Sequence, residues 1–195
     1  MSATELRQAY SALRRFTSRR EAHESCDLCA LPIDDRHDHL LELATRRIAC
    51  ACRACALLFP EGHGVRFRSI RSRALPLRDT ALTDDDFLVL QIPVRLFYLC
   101  PSRVHDTVFA LYPNVAGATE ATLPWPAWEA LLHAHPTLSQ IEPEVEGLLC
   151  DHIGGRSRCF IASLDVSRHL VGLLGRSRRL SDAIRFLDGL EGGVA

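Results

Sequence analysis

Two Cys-x-x-Cys pairs constrain this chain more than any other feature. Cys26 and Cys29 form the first and Cys52 and Cys55 the second, with residues 30–51 between them. A Cys-x-x-Cys turn lets two thiolates reach one ion, and two such turns complete the tetrahedron that a structural zinc prefers. The spacer is slightly longer than is usual for this pattern, and a hairpin can absorb the surplus. The expected metal ligands are therefore Cys26, Cys29, Cys52 and Cys55, with zinc as the expected ion. Binding would supply on the order of 10 kcal/mol or more of folding free energy. Four thiolates on one divalent ion carry a net charge of −2, which Arg46, Arg47 and Arg53 of the same segment could offset.

Other residues compete for the same role. Cys50 lies two positions before Cys52, on the same face if both belong to one strand, but only Cys52 keeps the x-x spacing to Cys55. His37 and His39 could replace a ligand; the plainer reading of Asp35-Arg36-His37-Asp38 is a solvated turn. Iron of rubredoxin type is the alternative to zinc. Rubredoxin knuckles place Gly after the second Cys, whereas Ala30 and Ala56 stand there in this chain. A nuclease of the HNH kind also uses a treble clef, with a His base beside a divalent ion followed by an Asn and a second His. Residues 40–63 hold no Asn and only His63 as a late His, so this reading is disfavoured.

Composition narrows the class. The chain has 195 residues, 47% apolar and 24% charged, with eight Cys. Those are ordinary globular values, and a chain of this size buries roughly 70% of its unfolded surface. The formal net charge of −1 gives no overall bias toward nucleic acid or anionic membrane. Every one of the 23 basic residues is Arg, which is read as genomic base composition. The N-terminal stretch is charged and lacks the apolar core of a signal peptide. No apolar run approaches the roughly 18 residues that span a bilayer. A cytoplasmic location is expected, where thiols stay reduced and clustered Cys reads as metal binding.

Along the chain, Leu6, Ala9, Tyr10, Leu13 and Phe16 recur at helical spacing, predicting a helix over residues 4–20. Residues 39–43 and 48–51 read as strands around a turn, and 52–59 as a short helix stopped by Pro60 and Gly62. Knuckle, hairpin and helix is the layout of a treble clef, and it would set the last two ligands on a helical first turn whose dipole favours thiolates. Residues 65–70 read as a strand, with Arg66, Arg68, Arg71 and Arg73 as a basic stripe, by default a solvated face. Thr83 reads as an N-cap before Asp84-Asp85-Asp86. Strands are expected at 94–100 and 107–112 around a Pro101-Ser102-Arg103 turn, a small-residue loop at 113–120, helices at 126–134 and 143–149, strands at 159–164 and 169–174, and a helix at 181–190 capped by Ser181. Cys100, Cys150 and Cys159 read as small buried residues. A catalytic pairing of Cys150 with His152 is disfavoured, and Trp125 and Trp128 read as core.

The expected class is α+β: an N-terminal helix (1–24), a four-cysteine treble-clef or zinc-ribbon-like module (25–62) and an antiparallel-sheet domain (63–195). The chain also resembles a bacterial family of unknown function encoded in gene clusters of actinobacterial-type, oxygen-tolerant nickel-iron hydrogenases. The resemblance rests on Cys26-x-x-Cys29, Cys50-Ala51-Cys52-Arg53-Ala54-Cys55 with Leu57-Leu58-Phe59, Ile92-Pro93-Val94 and Tyr112-Pro113. It continues in Gly117-Ala118-Thr119-Glu120, Trp128-Glu129-Ala130-Leu131, Glu142-Pro143 and Leu170-Val171-Gly172-Leu173. It implies a role near hydrogenase biogenesis or electron delivery and assigns no catalytic residue. The expectation is a zinc-stabilised accessory protein with no chemistry of its own. Its protein partner would be a hydrogenase or its maturation machinery, met through the N-terminal helix or the Arg stripe. A rubredoxin-like electron carrier and a nucleic-acid-binding protein are the alternatives.

Overall fold

The computed structural model describes residues 24–59, 66–78, 80, 82–92, 94–114, 117–155, 157–177 and 180–191. The helix expected at 4–20 lies outside them. Two antiparallel sheets carry the fold. The smaller has the order β2-β1-β3, from Asp38–Glu42 (β1), Arg47–Ala51 (β2) and Phe67–Ile70 (β3). The larger has the order β4-β9-β8-β5-β6-β7, from Ala74–Pro76 (β4), Leu96–Ser102 (β5), Thr107–Asn114 (β6), Gly117–Pro124 (β7), Glu146–Asp151 (β8) and Arg158–Ser163 (β9). The helices are Arg53–Ala56 (α1), Asp84–Leu90 (α2), Trp125–Ala134 (α3), Leu164–Ser177 (α4) and Leu180–Glu191 (α5). The α+β expectation holds.

The larger sheet is covered on both faces, so its central strand β5 is buried at all seven positions. Side-chain alternation divides that strand between two cores. Phe97 and Leu99 join Leu90 of α2 and Trp128 and Leu131 of α3. Leu96, Tyr98 and Cys100 join Leu164, Val166 and Leu170 of α4 and Ala183, Leu187 and Leu190 of α5. The Tyr98 hydroxyl donates to the Ala162 carbonyl at 3.1 Å. Gly147 on β8 leaves the space that the Tyr98 ring and the Leu99 carbonyl occupy; a Cβ there would overlap both. Helix α2 starts with a reciprocal capping box, as Thr83 accepts from the Asp86 N–H and Asp86 accepts from the Thr83 N–H.

The third core belongs to the Cys segment, where Cys26, Leu40, Ala49, Ala51, Ala56 and Phe67 pack together. Strand β1 serves two cores at once, because Leu40 faces this one while Leu41 lies in the α4–α5 core. β3 follows residue 62 in sequence yet closes the small sheet by pairing with β1.

Five local expectations are corrected. Residues 143–149 do not form a helix: β8 runs over Glu146–Asp151, buried at every position. With both faces covered, the strand shows no alternation to distinguish it from a buried helix. Residues 169–174 are not a strand but the middle of α4, a short apolar run that periodicity alone cannot settle. The 113–120 loop is a tight hairpin instead, with Asn114 opposite Gly117 and exposed Glu120 opposite Leu111. Ser181 lies inside α5, one residue past its start, and does not cap it. β5 runs on through Pro101 and Ser102, and the turn follows at 103–106, where Asp106 takes a φ of 49°.

Candidate metal centre

The first cysteine pair sits in a knuckle closed by backbone bonds. The Cys26 N–H donates to the Leu31 carbonyl and the Ala30 N–H to the Cys26 carbonyl, each at 2.8 Å. Ala30 adopts a φ of 59°, a left-handed conformation for which a Cβ carries a penalty. The knuckle is docked on β2 reciprocally: the Asp27 N–H donates to the Cys50 carbonyl, and the Cys50 N–H donates to the Asp27 carboxylate, both at 2.8 Å.

The second pair arrives by a change of backbone. β2 ends at Ala51, and Cys52 occupies the N-cap of α1 with φ −70° and ψ 157°. Cys55 follows within that single turn. Knuckle, hairpin and short helix thus succeed one another in treble-clef order. The sulfurs of Cys26, Cys29, Cys52 and Cys55 all lie within 4.8 Å of one another, with Cys29 and Cys52 at 3.7 Å. A zinc–sulfur bond of about 2.3 Å implies a tetrahedral edge of about 3.8 Å, so the four sulfurs stand near the separation that one ion requires. The cluster could hold a metal ion.

The electrostatics of the four thiols are uneven. Burial works against the Cys26 thiolate, but the backbone amides of Cys52, Leu28 and Cys29 outweigh it and hold this thiol at about 6. Cys55 is pushed up to about 12 by its contacts with the Cys29 and Cys52 sulfurs. Without a cation the cluster cannot ionise throughout, since each thiolate disfavours the next.

Cys50 stands outside this cluster. The strand ends between it and Cys52, so the two no longer share a face. Cys50 pairs across the sheet with His39, and a ring nitrogen of His37, one of His39 and the Cys50 sulfur lie within 4.8 Å of one another. The three arginines expected to offset the thiolates are engaged elsewhere. Arg46 is buried with its guanidinium 3.5 Å from the Phe109 ring centroid. Arg47 lies 4.0 Å from both Asp27 and Glu42, and Arg53 lies 3.4 Å from Asp38. The Arg stripe is likewise paired: Arg66 with Glu42 and Arg68 with Glu142 at 3.2 Å, and Arg73 with Glu146.

One grouping escapes the sequence. Cys150 and Cys159 are buried, as expected, but they also face each other across β8 and β9 with sulfurs 2.9 Å apart. His152 completes a buried trio of possible ligands within 4.8 Å. Only the β8–β9 register reveals it, and the sequence pattern reads residues 143–149 as helix.

Four leucines beside the ligand cysteines are solvent-facing: Leu28 and Leu31 around Cys29, and Leu57 and Leu58 after Cys55, the last 73% exposed. Among the described residues no helix is long and apolar enough to cross a membrane. No curated protein and no solved structure matches the chain. A family model does match, over residues 25–183, from the first knuckle to the start of α5. The chain belongs to the family of unknown function DUF5947.

Proposed function

We propose that this chain is a cytoplasmic, zinc-stabilised accessory protein that binds a protein partner and performs no chemistry at its four-cysteine centre. Cys26, Cys29, Cys52 and Cys55 hold the zinc. The observation that carries this reading is the convergence of the four sulfurs within 4.8 Å from both ends of one segment. Four protein ligands fill a tetrahedral ion and leave no position for substrate. Zinc is favoured over iron because the second pair enters α1 rather than a second knuckle. The exposed leucines next to the ligand cysteines in sequence supply a contact surface in this reading, since exposed apolar patches mark interaction sites. The partner is a nickel-iron hydrogenase or a component of its maturation. That part rests on the sequence resemblance alone.

Two measurements test the reading. Metal analysis of protein isolated anaerobically from iron-replete cells is expected to return zinc in a colourless preparation, reduced by one equivalent in the double variant Cys29→Ser/Cys55→Ser. A red, iron-containing protein, or a double variant with undiminished metal, overturns it. Affinity capture from the native host, scored for hydrogenase subunits and their maturation proteins, is expected to enrich them with the wild type and to lose them with Leu57→Glu/Leu58→Glu. No enrichment with the wild type rules the hydrogenase link out.

A further inference from the structure

We propose a second, separate divalent-cation site formed by His37, His39 and Cys50, with one coordination position open to the adjoining groove. His39 is the second residue of β1 and His37 immediately precedes that strand. Cys50 lies directly opposite His39 in the β1–β2 register. The two rings meet edge to face, with centroids 4.7 Å apart. One ligand atom from each of the three residues lies within 4.8 Å of the other two.

A second observation points to a ligand. The His37 side chain is only 7% exposed. Its Nδ1–H donates to the Asp34 carbonyl at 2.8 Å, which fixes the tautomer and leaves the Nε2 lone pair as an acceptor. That Nε2 is buried and meets no hydrogen-bond donor. An unsatisfied buried acceptor is destabilising, and a metal ion satisfies it. His39 has a looser counterpart: its Nδ1 lies 3.7 Å from the Asp165 carboxylate, and Nε2 is the nitrogen assigned to the ion. Metal-bound histidines characteristically turn their other nitrogen to a carbonyl or a carboxylate, and both partners are in place here. The His37 Nδ1 also lies 3.7 Å from Glu24. Asp165, Glu24 and Asp27, whose carboxylate accepts the Cys50 N–H, are the acidic groups beside a site whose own ligands supply a single thiolate.

Two imidazoles and one thiolate suit a borderline divalent ion such as zinc or cobalt rather than calcium or magnesium. Three protein donors leave the fourth position free. His37 and His39, though not Cys50, line a groove together with Asp34, Arg53 and Asp165, and the open position is assigned to that side. This distinguishes the site from the closed four-cysteine centre.

The test reads zinc stoichiometry and the zinc X-ray absorption of the full chain. The wild type is expected to hold about two equivalents, with an average shell of sulfur plus imidazole. Cys50→Ser and His37→Gln/His39→Gln are each expected to fall by one equivalent and to leave an all-sulfur shell. One equivalent in a sulfur-only shell in the wild type overturns the proposal, as does a second equivalent that survives both variants. Failure of the four-cysteine reading looks different: Cys29→Ser/Cys55→Ser would then keep its full metal content, whatever the result at Cys50.

Discussion

Single positions in this chain carry several constraints at once. Gly147 is the clearest case. It sits on β8 beneath the Tyr98 ring and against the Leu99 carbonyl, and any Cβ would collide with backbone as well as side chain. Gly147→Ala is expected to destabilise the fold by about 1–3 kcal/mol, the usual cost of overpacking, measured as a lowered urea midpoint with an unchanged slope. An unshifted midpoint would show that β5 and β8 can spread. Glu144 is another such position. It adopts a φ of 76° and is almost fully buried. Its carboxylate accepts from the Ser102 hydroxyl and from the Arg103 and Val104 amides, at 2.7, 2.7 and 3.1 Å. It organises the β5–β6 turn from a distant point in the chain. Neither role is visible in sequence, because both depend on which strands become neighbours.

Among elements, α2 is the one whose local sequence and tertiary setting agree most fully. Thr83 and Asp86 close the capping box, and His135 at the end of α3 places its Nε2 3.0 Å from the same carboxylate. Burial works to raise the Asp86 carboxyl, but the Thr83 amide, His135 and the Thr83 hydroxyl outweigh it and hold it below its ordinary value. A carboxyl depressed in the folded state stabilises the protein above the ordinary carboxylate range and loses that effect as pH falls through its folded value. Asp86→Asn is therefore expected to be less stable than wild type at neutral pH, with the difference closing below about pH 4. Thermal melts across that range check it, and a gap independent of pH would refute the assignment. Thr83→Ala is expected to cost about 1 kcal/mol.

The same comparison shows which elements the sequence could reveal. The Cys hairpin, α2, α3 and the β5–β6 pair are readable because each carries a local signal: ligand spacing, a cap, a proline near a helix start, or a turn between β-rich runs. β8 and the middle of α4 are not. Both are short apolar runs whose type is decided by the layers above and below them, and β8 has no polar face to betray its period. The convergence of the four cysteines is legible through their spacing. The separation of Cys50 from Cys52 is not, because it depends on β2 ending at Ala51.

For the molecule as a whole, the metal segment and the larger sheet have distinct cores. The Cys segment's core is small, with few large apolar side chains, so an ion held by its cysteines would supply a substantial part of its folding energy. Stripping zinc at neutral pH is expected to abolish amide protection in the knuckle, β1 and β2 while β5, β6, β8 and β9 stay protected. Hydrogen exchange with mass spectrometry resolves those segments. Retained protection in the knuckle after complete metal removal would show that the segment folds unaided.

The two regions meet at β1. Leu40 and Leu41 are consecutive, yet one is walled in by the cysteine-bearing segment and the other by the paired C-terminal helices. The strand that carries both residues is thus a shared wall of two cores. A substitution that displaces β1 is therefore felt on both sides, in the packing around the cysteines and in the packing beneath α4 and α5.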